Sequence, residues 1–469
     1  VGLRFDPVGG GQFKEALKQI IEAERQPIKQ IEKRKGVEEA KSKLFQEFKG
    51  KFANFDRALN DLATFKNFRD LKVELGDGTQ FVDVTVDKNL AEPGTYQLEV
   101  SQLAKRSSIM SNGFSSPDEP VAGMGFVVMN MPDGDSKEIF VSGSDGSLRG
   151  IAMKINQDKD SPVQASVVND QSDSKTPWKL IMTAKKDGLP NEIDFPEFYF
   201  MDGERDLYVS ERNDADNALL KLDGFELEAG SNQIKEFLTG VNLNLKQARP
   251  DQPITIKIQE DYQKIAGKVK TMVEQVNGIL EFINKQNQID SKSDTRSTFA
   301  GDTSLQTIEY RLRNLLHEGF PVGDLNGDPD DLRFVFTHSM GVEFDKAGKV
   351  NFNEQKFQKA LEDDFGGVSQ AISGEWGMAN QLKKVIGGYT RMPDGMIPMR
   401  EQAIRTRIKR MDDDITAKEV RLERRTQNLT DQFSRLQSSL SNLQRQGQYV
   451  QAMGGGGGGG NMVSQLLGG

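Results

Sequence analysis

The stretch IKRMDDDITAKEVRLERRTQNLTDQFSRLQSSLSNLQRQGQYV (408–450) decides the fold. Its residues Ile408, Ile415, Leu422, Leu429, Leu436, Leu443 and Val450 recur at a strict spacing of seven. A sustained seven-residue apolar repeat marks a helix that offers one seam to another helix. The companion position is mixed. Met411 is apolar, whereas Lys418, Arg425, Gln432, Ser439 and Gln446 are not, and Phe433 and Leu440 broaden the stripe. Such a seam predicts a helix packed in a larger assembly rather than a tight zipper; a buried helix of an ordinary bundle is the alternative. At 1.5 Å per residue, residues 401–450 would span roughly 75 Å as one helix.

The opposite end carries a matching signal. Residues 13–68 read as helix, with Phe45, Phe48, Phe52, Phe55, Leu59 and Leu62 alternating steps of three and four along one face. Leu17, Ile20, Ile21, Ile28 and Ile31 extend an apolar stripe upstream. Pro27 is expected to kink or restart this helix, and Gly36 is a second weak point. The two terminal stripes are expected to pack on each other.

Between them the period changes to two. FVDVTVD (81–87) and TYQLEV (95–100) alternate apolar and polar residues as half-buried strands do. GFVVMNM, EIFVSG, VQASVV, WKLIMTA and the YFMDGERDLYVS region continue the strand-rich reading, with one short helix at 147–158, and PDQPITIKI (250–258) is a further strand. Helix resumes at Tyr262, Ile265, Val269, Met272, Val276, Ile279 and Ile283. Residues 302–388 are mixed. SLQTIEYRLRNLLHEG is an amphipathic helix with Leu305, Ile308, Leu312 and Leu315 or Leu316 inward, MGVEFDKAGKVNF is a hairpin, and NEQKFQKALEDDF is a helix.

The expected class is therefore α+β and multidomain: an antiparallel terminal coiled-coil or helical-bundle leg with inserted β-rich head domains. The division reads as 1–42, N-terminal helical leg; 43–70 with 259–400, mixed leg domain; 71–105 with 211–258, inner head; 106–210, outer head; 401–453, C-terminal coiled-coil leg; 454–469, Gly-rich tail. The seven consecutive glycines Gly454–Gly460 read as a spacer before a small apolar tip.

Composition narrows the function. The chain has 469 residues, enough for about three domains. No run approaches the ~18 apolar residues of a membrane span, and the N-terminal stretch does not read as a cleaved secretory signal. A net charge of −9 disfavours nonspecific nucleic-acid binding. Cys is 0, which removes disulfides, thiolate metal sites and Cys nucleophiles. His317 and His338 are the two histidines, and no G-x-S-x-G nucleophile motif accompanies them. The acidic loop DLNGDPDD (324–331) fails as a calcium loop, because its sixth and twelfth positions are Pro329 and Val335. Asp412, Asp413 and Asp414 fan around a helix and read as a solvated face. Gly9–Gly11 ahead of a helix lacks a preceding strand and the P-loop Lys-Ser/Thr. Trp178 and Trp376 read as core or interface anchors. No enzyme, cofactor or metal is expected.

Several segments in order resemble the flagellar hook-associated protein 2 family, the cap at the distal end of the bacterial flagellar filament. FKEALKQIIEAERQPIKQIE (13–32), centred on Ala23-Glu24-Arg25-Gln26-Pro27, resembles its N-terminal helix. PGTYQLEVSQLAKRSSIMS (93–111) and SLRGIAMKINQDKDSPVQASVVND (147–170) resemble units of its head. NALLKLDGFELEAGSNQIKEFLTGVNLNLKQA (217–248) resembles a recognisable block through Asp223-Gly224, Ser231-Asn232 and Gly240-Val241. GDTSLQTIEYRLRNLL and GVEFDKAGKVNFNEQKFQKAL resemble its leg. The chain departs where Gly9-Gly10-Gly11-Gln12-Phe13 stands in place of a Gly-Ser-Gly-Leu-Asp-like run, and in its Gly454–Gly460 run.

The resemblance implies a ring-forming homo-oligomer that caps the growing filament and helps exported flagellin fold into place. The implied partners are flagellin subunits and the filament end, hook–filament junction proteins, the flagellar type III export apparatus and a cytoplasmic export chaperone. Export through that channel implies secretion to the distal filament tip, and absence of Cys avoids crosslinks during threading. Phe45, Phe48, Phe52, Phe55, Leu59 and Leu62, with Ile408, Ile415, Leu422, Leu429, Leu436 and Leu443, are the candidate assembly residues. Another flagellar axial or junction protein, or an extracellular adhesin borne by the β-rich head, are the alternatives.

Overall fold

A computed structural model describes residues 10–131, 134–171, 175–287, 299, 302–324 and 332–454. The chain forms two units. Unit 1 comprises Val1–Ala63, Val269–Ala360 and Gln370–Gly469; unit 2 comprises Thr64–Lys268 and Leu361–Ser369.

Unit 1 opens with helix α1, Gly10–Asn60. A kink or restart was expected at Pro27; no restart occurs, and the helix runs through that residue and through Gly36. A proline in a helix interior costs about 3 kcal/mol through a lost hydrogen bond and a ring clash. Here the ring is exposed while Ile28 and Ile31 just beyond it are buried, so side-chain packing offsets the local penalty. The helix ends at Asn60 rather than 68; a separate four-residue helix α2, Phe65–Phe68, is capped by the Thr64 hydroxyl accepting from the Asn67 amide.

Unit 2 continues with β1 (Leu71–Glu74), β2 (Val82–Val86), β3 (Gly94–Gln102) and β4 (Ser108–Ser111). Next come β5 (Met124–Asn130), β6 (Ser136–Val141), α3 (Leu148–Gln157), β7 (Val163–Asn169), β8 (Trp178–Ala184) and β9 (Asp194–Met201). Strands β10 (Val209–Asn213), β11 (Ala218–Leu222), β12 (Phe225–Ala229), β13 (Gln233–Leu238), β14 (Val241–Leu245) and β15 (Arg249–Glu260) complete it.

These strands build two sandwiches, each with its own dry centre. In the first, the sheet β1-β15-β3-β11-β12 faces the sheet β13-β14-β2. Its core includes Leu98, Val100, Leu220, Ile254 and Ile256 from one sheet and Val82, Leu243 and Leu245 from the other. In the second, β10-β4-β8-β7 and β6-β5-β9 enclose Ile109, Val127, Met129, Leu180 and Met182, with α3 adding Leu148, Ile151 and Ile155. Alternation explains the placement: inward residues of a strand recur every second position. Asp223 and Gly224, both at positive φ, make the tight turn from β11 to β12.

One charged knot sits inside unit 2. The Asp70 side chain is 5% exposed and faces Lys264 at 2.9 Å, Lys88 at 3.6 Å and Lys268. Burial alone would raise its carboxyl; the Lys268 and Lys264 ammonium groups outweigh that and hold it below the usual carboxylate range. Beside it Arg69 bridges Glu260 at 3.0 Å and Glu92 at 3.4 Å.

Helix α4 (Tyr262–Asn287) begins in unit 2 and runs into unit 1. Unit 1 then adds α5 (Thr303–Leu315), the hairpin β16–β17 (Gly319–Val322, Arg333–Phe336) and the hairpin β18–β19 (Val342–Phe344, Val350–Phe352). The inward residues of α5 are buried through both Leu315 and Leu316. Helices α6 (Glu354–Asp363), α7 (Phe365–Ser373), α8 (Met378–Thr390) and α9 (Met396–Gly454) follow. Trp178 packs on the second sandwich core, but Trp376 is 51% exposed, with Lys384 Nζ 4.4 Å from its ring centre; it is a surface residue, not a core anchor.

Candidate assembly surfaces

Helices α1 and α9 lie side by side and antiparallel. Four ion pairs fix the register: Lys49–Glu401 at 3.3 Å, Arg407–Glu38 at 3.0 Å, Lys35–Asp412 at 2.5 Å and Arg425–Glu24 at 3.4 Å. Partner numbers on α1 fall as those on α9 rise, as an antiparallel pair requires. Exposed pairs of this kind contribute only about 0–1 kcal/mol each, so their role is mainly registration. Glu401 is the best enclosed of the carboxylates. Burial would raise it, and the Lys49 hydrogen bond with the Lys49 and Arg405 charges brings it below its ordinary range instead. The Asp412 carboxylate, by hydrogen bond and then by charge, holds the Lys35 ammonium above its usual value.

The terminal helices pack on each other as expected, and the register decides which parts of them meet. Ile408–Leu429 runs against α1 upstream of the phenylalanines, not against them. Phe45, Phe48, Phe52, Phe55, Leu59 and Leu62 are each buried in unit 1. Phe48 lies edge-on to Phe52 with ring centres 4.7 Å apart and stacks on Phe282 of α4 at 5.0 Å; Phe45 meets Phe299 at 4.4 Å. Near the end of that stripe, Asn380 of α8 donates to the Ala63 carbonyl at 2.9 Å and Lys383 donates to Asn60 Oδ1 at 2.5 Å. The six side chains are enclosed by the chain itself, so any influence on assembly runs through the fold of unit 1.

The α9 row divides. Ile408, Ile415, Leu422 and Leu429 are half-buried, whereas Leu436 is 56% and Leu443 64% exposed. The residues before Gly10 lie outside the described residues. The tail from 455 onward also lies outside them.

A second apolar surface escaped the sequence reading. On β5, Phe126 stands opposite Phe140 of β6 and Tyr199 of β9, and Met124 stands opposite Met201. All five are 40–68% exposed. Phe126 and Phe140 have ring centres 5.2 Å apart, Val128 lies between Glu138 and Glu197, and the Tyr199 hydroxyl donates to Glu197. Val127 and Met129 point into the core from the same strand, so β5 is apolar on both faces. The missing alternation in GFVVMNM is the sequence signal for it.

The chemistry-bearing candidates are dispersed. His317 is exposed, stacked on Phe344 at 4.7 Å, with Nδ1 2.9 Å from the Arg313 carbonyl oxygen; His338 rests beside Phe336 at 5.5 Å. Asp412 is committed to Lys35, while Asp413 and Asp414 are exposed. Of the acidic loop, residues 325–331 lie outside the described residues, as does Gly9. Among the described residues, no group of three or more His, Cys, Asp or Glu is placed to hold a metal ion. No described helix is long and apolar enough to cross a membrane.

Comparison with known proteins agrees with this architecture. The family model for the flagellar hook-associated protein 2 N-terminus matches residues 10–107, and that for the flagellar hook-associated protein 2 C-terminus matches 215–445. The A-type flagellar hook-associated protein 2 of Pseudomonas aeruginosa is 23% identical over 471 residues, covering 95% of each chain. The flagellar hook-associated protein 2 of Xenorhabdus nematophila is 22% identical, covering 91% of this chain and 94% of the relative. The crystal structure of the D1-D2-D3 domains of the flagellar cap protein FliD from Escherichia coli shares the fold, with a TM-score of 0.58 at 20% identity, over 77% of this chain and 99% of that one. These matches span both terminal helices, the first sandwich and the α4–α9 region, and the family is structural rather than enzymatic. The chain belongs to the flagellar hook-associated protein 2 family.

Proposed function

We propose that this protein is a structural cap at the distal end of a bacterial flagellar filament, working as a homo-oligomeric ring that helps exported flagellin subunits fold and insert. The observation that carries this reading is the α1–α9 pair. Its seam is half-covered as far as Leu429 and bare at Leu436 and Leu443, a surface suited to repeated, reversible contact rather than permanent locking. Such a role works by placing subunits, without covalent chemistry. The partners are flagellin and the filament end, neighbouring hook–filament junction proteins, and, on the way out, the type III export apparatus with a cytoplasmic chaperone. The six C-terminal positions from Ile408 to Leu443 contribute to assembly directly, and the phenylalanine stripe contributes by holding unit 1 together.

The test is complementation of a strain lacking the protein. Full-length chain is expected to restore filaments and swimming, with immunogold label confined to filament tips. A chain ending at residue 400 is expected to secrete flagellin into the medium without building filaments. Normal swimming with the shortened chain, or label at the hook junction or along the shaft, contradicts the proposal.

A further inference from the structure

The outer face of the β6-β5-β9 sheet, turned away from the second sandwich core, is divided along its strands. At one end Met124 stands beside Met201, and the next outward row is Phe140, Phe126 and Tyr199. One outward row further on, Val128 lies between Glu138 and Glu197. Among the described residues, the outward positions of these three strands carry no Lys or Arg. The neighbouring Lys137 is bonded to Asp158 at 2.9 Å. At ~200 Å² for each large side chain, the 40–68% of each that stays exposed leaves roughly 500 Å² of apolar surface in one patch. Patches of that size on a soluble chain mark contact sites. Two such faces pressed together withdraw about 1,000 Å², the size at which specific but weak interfaces begin.

This division selects the occupant. A foreign partner laid along the whole face must bring cations to Glu138 and Glu197; a second copy need not. Two copies related by a twofold axis that crosses the strands at Gly125, between the Met124 and Phe126 rows, run their β5 strands antiparallel. Phe126 of each then lies over Met124 of the other, and Tyr199 over Met201, thioether against ring, which is a favourable contact. Each Val128 row lies about 10 Å from the axis at the rise of an extended strand. The two carboxylate pairs therefore end about 20 Å apart, beyond the roughly 10 Å over which exposed charges act at about 0.1 M salt. They form a wet rim instead of opposing each other. Stacking about an axis along β5 would set Glu138 of one copy against Glu197 of the other, and like charges disfavour it.

We infer that the outer face of β6-β5-β9 is a self-association surface that joins two copies of this chain face to face and antiparallel through Phe126, Tyr199, Met124 and Met201, with Phe140 at the margin. Such an isologous contact closes after two copies. It is additional to the ring reading above and does not rest on it.

The test uses the full chain, whose Cys count of 0 lets single cysteines report contacts. A Tyr199→Cys chain and a Met201→Cys chain, one of them tagged so that the mixed product is resolved, are combined and oxidised with copper phenanthroline. They are expected to link at least about tenfold faster than a mixture of Glu138→Cys and Glu197→Cys chains. Adding Phe126→Asp to both chains is expected to slow the first link about tenfold. Circular dichroism of that variant should match the unaltered chain, because the substituted side chain is exposed. Equal rates for the two mixtures, a faster link between the Glu138 and Glu197 positions, or a first link that Phe126→Asp leaves unchanged overturns the contact. A ring closed through other surfaces gives equal rates, so the contact can fail while the ring reading stands.

Discussion

The α1–α9 pair and the sandwiches of unit 2 solve the same problem differently. The sandwiches bury apolar residues from two facing sheets, so Leu98, Val100, Val127 and Met182 are shut off from water. The helix pair has a single seam, half-covered along α9 as far as Leu429 and bare beyond it. Stability scales with the apolar area removed from water. The sandwiches therefore enclose their apolar residues between their own sheets, whereas Leu436 and Leu443 at the far end of α9 stand largely in water.

The comparison breaks most easily at the charged knot. Asp70→Asn leaves Lys88, Lys264 and Lys268 facing a neutral group and should destabilise unit 2 by about 3–5 kcal/mol in urea unfolding; a loss near zero would mean the lysines find water. Leu98→Ala should cost about 2–5 kcal/mol by the same measurement, since it empties space between two sheets.

Acidity offers a sharper probe of unit 1. Asp302 is bonded to Arg400 and to the Ser304 amide; burial would raise its carboxyl, and these partners hold it below the ordinary 3.8. Glu401 likewise sits below 4.5. A depressed carboxyl contributes stability that is present above the unfolded value and fades as pH falls through the lower folded value. Between pH 6 and pH 3 the thermal midpoint of unit 1 should fall, and it should fall less in a chain carrying Lys49→Gln and Arg400→Gln. Equal falls in both would remove these pairs from the account.

The smallest effects belong to the seam. Leu429→Ala should cost about 1 kcal/mol and Leu443→Ala less than about 0.5 kcal/mol in the isolated chain, because the latter is already in water. In filament assembly the order should reverse, with Leu443→Asp impairing swimming while leaving the melting curve unchanged.

Period and turn chemistry made most elements legible in the sequence. The seven-residue row located α9 and the alternating runs located strands of the sandwiches, whereas the β11–β12 turn at Asp223-Gly224 went unread. Register was not legible, because the mixed seam position of α9 fits α1 at several offsets and only the ion pairs from Glu24 to Glu401 choose one. The restart allowed for at Pro27 does not occur, because the tertiary packing of Ile28 and Ile31 acts against the local penalty. The phenylalanine stripe was found, but periodicity reports a buried face without saying what covers it, and Phe282 and Phe299 supply that cover. The exposed Phe126 row was missed because an apolar run does not reveal which of its two faces meets water.

The central structural claim is that α1 and α9 run antiparallel at one register, and a chain with Cys at 0 positions allows a clean test. Cysteines introduced as Lys35→Cys with Asp412→Cys should be joined within one chain by a short bis-maleimide, while Lys35→Cys with Arg435→Cys should not. Efficient joining of the second pair, or none of the first, would contradict the account.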